Sequence, residues 1–255
     1  MSVLQDLIVK FNSKKNAELY TRIIKEIQSA EKIWTAFSDA SNNYYLGNVN
    51  GSATAYLFSE KDFFDIFYVH EKQKGYDVRS AENPAEYRMA LLADLYRSGF
   101  ETIIIDSGQT YLKMSLFDII KKPQEQTDNK DTRLIVNPSL VRTACWFFQE
   151  NAKEPANEEM WKLLFTEIFK AEYIVPADTR NLKIDGVKSG KIKLGKNSEV
   201  SFPVLQNSEG KSYYPFFTDW NELRKYDMNS NYSVLAANFK DLQRFAGKAD
   251  GIVIN

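Results

Sequence analysis

Two stretches of this chain carry the same helix-into-strand pattern, and that recurrence limits the folds open to it more than any other feature. Laid over one another 141 residues apart, Glu18–Ala36 and Glu159–Ala177 share seven identities in nineteen positions, where average composition gives about one. The apolar positions coincide as well: Leu19, Tyr20, Ile23, Ile24 and Ile27 fall on Met160, Trp161, Leu164, Phe165 and Ile168. This spacing lays one apolar stripe along each predicted helix. Each helix then runs directly into a predicted strand, KIWTAF in the first copy and YIVPA in the second.

A second block repeats at a shift of 159, with Leu46, Asn48, Gly51 and Phe58 falling on Leu205, Asn207, Gly210 and Phe217. NVNG and NSEG both read as hairpin turns, with Gly51 and Gly210 at the position that needs positive φ. The strand that follows leads into Ser59 or Thr218, predicted N-caps, and then into Glu60 or Asp219, whose charge suits the first turn of a helix.

A third block completes each copy. YDVRS and YSVLAA read as strands. Asn83-Pro84 predicts the start of a helix over 85–98 ended by Gly99, and the second copy predicts one over 239–246 ended by Gly247. TIIID and GIVIN close the two copies, where the shift falls to about 149. The first copy continues into YLKMSLFDII, one more strand. The polar stretch from Lys121 to Asp131 reads as the linker, and LVRTACWFFQE after it as a further helix. At 255 residues the chain has room for two domains. The expected fold class is α+β, two tandem copies of a small mixed β-sheet domain with covering helices, at residues 1–122 and 132–255.

The second copy resembles the N-terminal domain of the SseB (enhanced serine sensitivity) family. Val175-Pro176, Glu209-Gly210, Pro215-Phe216-Phe217-Thr218 and Asn255 fit that family's order of helix, strand ending in Val-Pro, hairpin, helix and closing strand, over about Met160 to Asn255. The first copy resembles a degenerate member, with Thr35 and Tyr56 standing where Pro176 and Pro215 do. The resemblance implies the fold. It brings no catalytic residues with it, and the family's name records a genetic phenotype rather than a reaction.

Chemistry is hard to assemble from the remaining residues. With 33 basic and 34 acidic side chains the net charge is −1, which exerts no pull toward nucleic acid or an anionic membrane. No run approaches the eighteen or so apolar residues that span a bilayer. MSVLQDLIVKF reads as a short amphipathic helix rather than a signal peptide. A single cysteine, Cys145, excludes an intrachain disulfide and suits a reducing, cytoplasmic setting. Its apolar neighbours make it a buried, inert thiol. A single histidine, His70, excludes a two-histidine metal site within one chain and reads as a solvated surface group.

GKIKLGKN, from Gly190, nearly satisfies the phosphate-loop pattern. However, SEVSFPVL follows it and alternates like a strand, where a phosphate loop needs a helix. Lys188, Lys191, Lys193 and Lys196 therefore read as a solvated basic hairpin or loop, with an anionic partner as the alternative. Glu158 and Glu159 read as helix-start residues, and Asp178, Asp185 and Asp219 do not have the spacing of a calcium loop. No residue qualifies as catalytic, cofactor-binding or metal-ligating.

Aromatic side chains number 35, the sum of 4 Trp, 14 Tyr and 17 Phe. In YYPFF, adjacent residues on a strand must point to opposite faces. Packing under covering helices explains this plainly. Alternatively, Tyr213, Tyr214, Phe216 and Trp220 form an interaction surface. The expected function is a non-enzymatic cytoplasmic protein that binds an unidentified protein partner or a ligand. The alternative is a small-metabolite-binding protein or enzyme with its site in the groove between the copies.

Overall fold

The computed structural model describes residues 2–122, 134–178, 184–188, 191–194, 201–229, 231–241 and 249–255. They divide into two compact units, the first made of residues 2–122 and 138–167, the second of residues 134–137 and those from 168 onward. The fold class is α+β.

The first unit opens with α1 (Val3–Ser13) and α2 (Ala17–Ser29). Ser2 Oγ accepts the Gln5 amide at the start of α1, and Asn16 Oδ1 accepts the Glu18 and Leu19 amides at the start of α2; both side chains satisfy N–H groups the helix cannot. There follow β1 (Lys32–Ser38), β2 (Asn43–Tyr44), β3 (Gly47–Val49), β4 (Ser52–Phe58), α3 (Lys61–Gln73), β5 (Val78–Pro84), α4 (Arg88–Arg97), β6 (Thr102–Ile105) and β7 (Leu112–Ser115). α5 (Pro138–Asn151) and α6 (Glu158–Lys170) come next. β1 lies between β5 and β4, antiparallel to both, β4 runs parallel to β6, and β7 closes antiparallel to β6.

The inner strands β1, β4 and β6 bury residues on both faces of this sheet, so burial along them does not simply alternate. Ile33, Ala55, Leu57, Ile103 and Ile105 join Leu7 and Ile8 of α1, Ile23 and Ile27 of α2 and Leu92 and Leu95 of α4 in one core. Ala36 and Phe58 face the other way and join Phe64 and Phe67 of α3 with Tyr45 and Val78. Each of the Leu, Ile, Val and Phe side chains contributes about 1.5–3 kcal/mol by leaving water.

The second unit contains β8 (Glu172–Ala177), β9 (Ile184–Lys188), β10 (Lys191–Leu194), β11 (Leu205–Gln206), β12 (Ser212–Phe216), α7 (Trp220–Tyr226), β13 (Ser233–Asn238) and β14 (Gly251–Ile254). β8 pairs antiparallel with β13 and meets the end of β12 through an Ile174–Phe217 bridge. β12 pairs antiparallel with β11 and parallel with β14. The order β13-β8-β12-β14 follows the same scheme as β5-β1-β4-β6. In the parallel pairs Thr54 stands opposite Thr102 and Tyr213 opposite Gly251, and the second pair lies 159 and 149 residues beyond the first, the two shifts already present in the sequence.

Gly51 and Gly210 have φ of 79° and 78°, as their hairpin positions require. Other expectations need correction. The helix expected over 85–98 begins at Arg88, after a 3-10 turn at Ala85–Tyr87, because β5 extends through Pro84 along the whole of β1. The N-caps of α3 and α7 are Glu60 and Asp219, one residue later than Ser59 and Thr218. The first unit also takes in residues 138–167, which boundaries of 1–122 and 132–255 assign to the other domain. Ile184–Lys188 and Lys191–Leu194 pair as an antiparallel hairpin; Lys196, and the linker residues from Pro123 to Asp131, lie outside the described residues.

Candidate functional site

In the first unit a cleft of about 840 Å3 is lined by Lys74 and Gly75 at the end of α3, by Trp146, Glu150 and Lys153 at the end of α5, and by Leu163 of α6, among others. Its wall rests on two aromatic–carboxylate–lysine clusters. Glu71, buried at 4% exposure, accepts the Tyr45 hydroxyl on Oε2 at 2.5 Å and Lys74 Nζ on Oε1 at 2.8 Å. Burial, and then the Glu71 carboxylate, hold the Tyr45 phenol far above its ordinary value, so it stays a donor. In the second cluster the Tyr76 hydroxyl donates to Glu150 Oε1 at 2.7 Å and accepts from Lys153 Nζ at 2.8 Å. That ammonium also lies 4.1 Å from the Tyr76 ring centroid and 2.6 Å from Glu150 Oε2.

With the carboxylate oxygens and ammoniums of these clusters engaged, neither supplies a poised base or nucleophile. The first ties the end of α3 to Tyr45, and the second holds Tyr76 against Glu150 of α5. Cys145 is buried, and burial pushes its thiol up to about 12, as expected of an inert cysteine. His70 is exposed beside Glu71. Among the described residues no group of three or more His, Cys, Asp and Glu could hold a metal ion.

Around this cleft large apolar side chains remain in water. Phe148 of α5 is 46% exposed, and Trp161, Leu163 and Phe165 of α6 are 44%, 47% and 45% exposed. Trp161 stands edge-on to the buried Phe147 at 4.5 Å and stacks with Phe165 at 5.7 Å. The Tyr213, Tyr214, Phe216 and Trp220 quartet lies elsewhere, in the second unit. Tyr214 and Phe216 are buried there, Phe216 against Tyr173 at 5.9 Å, while Phe217 turns to the opposite core with Ile174 and Leu223. At the end of β12 successive residues on both faces are buried, which absorbs both neighbours. Only Tyr213 and Trp220 of the four keep partial exposure.

Local sequence reasoning missed a third feature. The residue after β6, Asp106, and the residue after β14, Asn255, both adopt left-handed backbone, with φ of 59° and 62°. Asp106 accepts the Ser59 amide on Oδ1 at 2.7 Å and the Ser59 hydroxyl on Oδ2 at 2.8 Å. Asn255 Oδ1 accepts the Thr218 amide at 2.9 Å, and its Nδ2 donates to Thr218 Oγ1 at 2.9 Å. Each clasp ties the end of one strand to the corner where its parallel neighbour enters a helix. The signal available beforehand was positional: TIIID and GIVIN each close an apolar run with a polar residue, Asp106 and Asn255, 149 residues apart.

Residues 150–255 match the family model of the SseB protein N-terminal domain. The SseB match takes in Val175-Pro176, the Glu209-Gly210 turn and the Thr218–Asn255 clasp. No curated protein matches the chain. Among solved structures, Tic22 from Plasmodium falciparum is 12% identical, with 91% of this chain and 90% of that chain covered and a TM-score of 0.20. Anabaena Tic22, described with protein transport, is 9% identical over the same shares, also with a TM-score of 0.20. No helix among the described residues is long and apolar enough to cross a membrane.

Proposed function

We propose that this chain is a non-enzymatic protein-binding protein and that α5 and α6 present its recognition surface. One observation carries this reading: Phe148, Trp161, Leu163 and Phe165 expose 44–47% of their surface on two neighbouring helices. Isolated exposed apolar residues need no explanation, but clustered ones with polar rims mark contact surfaces. The test is to isolate the chain with its native partners and compare it with Phe148→Ala/Trp161→Ala. Loss of partners from a folded double variant is expected; retention of every partner overturns the assignment.

The same reading takes the chain as a tandem duplication acting in the cytoplasm. The common strand scheme supports the duplication, and the single buried thiol suits a reducing compartment. Tyr213 and Trp220 offer a second, smaller contact area. The alternative reading, a small-molecule binder, is favoured by the cleft beside Lys74 and Lys153, whose volume suits a metabolite. A thermal-shift screen with amino acids, nucleotides and sugar phosphates separates the two: a saturable rise in Tm supports the ligand reading.

A further inference from the structure

We infer that Asp106 is a buried proton-binding site, and that the corner it closes in the first unit is held more firmly when its carboxyl carries a proton. The geometry has three parts. Asp106 is wholly buried, at 0% exposure. Both of its oxygens face Ser59, which supplies an amide and a hydroxyl but no charge. Among the described residues, the charged group whose field reaches it is Glu60, at the start of α3, another carboxylate. Removing a carboxylate from water without a cation is costly, and the group relieves the cost by binding a proton.

The second unit shows what the neutral form does. There the Asn255 carboxamide, uncharged at every pH, makes the same clasp by accepting the amide on Oδ1 and donating from Nδ2 to the hydroxyl. Protonated Asp106 reproduces this set: Oδ1 accepts the Ser59 amide while Oδ2–H donates to Ser59 Oγ. Neither bond is lost on protonation, and only the buried charge disappears. Burial accordingly raises the Asp106 carboxyl to about 6, with Glu60 adding to the rise and the two Ser59 hydrogen bonds opposing it.

The sign follows. The folded carboxyl binds its proton more tightly than the unfolded one, so its contribution falls as pH rises from about 4 to about 6 and stays low above that. The loss amounts to at most about a hundredfold in the opening equilibrium, since each pH unit of separation is tenfold. The corner also receives the start of α1, where the Ser2 amide donates to Glu60 Oε1 at 2.5 Å. Proton release therefore loosens the place where α1, β4 and α3 meet.

The experiment uses the full chain and its Asp106→Asn variant. Native-state hydrogen exchange is followed at the Ser59, Ile104 and Ile105 amides between pH 4.5 and 7.5, after correction for the intrinsic pH dependence of exchange. In the wild type, protection at these amides should fall by tens of fold across the range. Asp106→Asn should hold it level and exceed the wild type at pH 7.5. Equal pH profiles in the two proteins, or weaker protection in the variant at pH 7.5, overturn the proposal. Carboxyl-carbon NMR of the wild type tests it without any substitution: an Asp106 midpoint near 6 supports the site, and one near 4 refutes it.

Discussion

The carboxamide of Gln149 pairs with both backbone groups of Leu46, accepting its N–H at 2.8 Å and donating to its carbonyl at 3.0 Å. A side chain of α5 thus completes the gap between β2 and β3 as another strand would. Gln149 is only 3% exposed, so water does not replace it freely. Gln149→Ala should cost about 2–4 kcal/mol, because it leaves two backbone groups without partners. Gln149→Glu should be similarly harmful, since a carboxylate accepts the N–H but cannot donate to the carbonyl. Urea denaturation of the two variants checks both.

Gly99 ends α4 with a φ of 85°, and a Cβ added there would come 2.3 Å from the Pro138 carbonyl oxygen at the start of α5. Gly51 has nearly the same backbone, φ 79°, with nothing within 4 Å of the added atom. The pair separates strain from collision. Gly51→Ala should cost about 1 kcal/mol, the penalty of left-handed backbone alone. Gly99→Ala should cost about 3 kcal/mol or more, because α5 must also shift. Equal losses in chemical denaturation would show that α5 yields without resistance.

Arg88 is wholly buried and has no carboxylate partner among the described residues. Instead its guanidinium donates to the carbonyls of Ile27, Ala30 and Asn83 and to Asn83 Oδ1. Two of those carbonyls close the C-terminus of α2, where the helix dipole favours positive charge. Burial lowers the Arg88 pKa to about 10, which leaves it charged at neutral pH. Arg88→Leu should destabilise the chain by about 3–5 kcal/mol, since three carbonyls lose donors in a dry place. Arg88→Lys should recover less than half, because one ammonium cannot span the fork. Denaturant midpoints at pH 7 read the difference.

Elements whose causes are local were legible beforehand. Gly51 and Gly210 announced their turns because few other residues accept that backbone, and the Ile23 and Ile27 stripe announced which side of α2 enters the core. Ser59 and Thr218 misled because their hydroxyls have competing partners far along the chain. Asp106 lies 47 residues from Ser59, and propensity over a few residues carries no trace of that bond. How deeply each member of the aromatic quartet is buried was illegible for a related reason. Alternation says that Phe216 and Phe217 face opposite ways, but only the assembled sheet shows that both are buried. The exposed apolar residues were hidden in the reverse sense, since Trp161 and Phe165 sit at positions whose equivalents Tyr20 and Ile24 pack against a core.

Cys145 offers a direct reading of how firmly α5 is held. It is 2% exposed, and burial raises its thiol to about 12, so at pH 8 the folded chain presents almost no thiolate. The unfolded chain, with an ordinary thiol value of about 8.5, presents a substantial fraction. Alkylation by iodoacetamide should therefore be at least a hundredfold slower in the native protein than in urea, and its rate should report local opening. Gln149→Ala and Gly99→Ala both weaken the seating of α5, so each should speed alkylation by tenfold or more at concentrations where the rest of the chain stays folded. Arg88→Leu acts on α2, far along the chain from α5, and should speed it only in proportion to global stability. If all three variants fall on one line of rate against stability, α5 opens only with the whole unit. If the first two lie above that line, it detaches on its own.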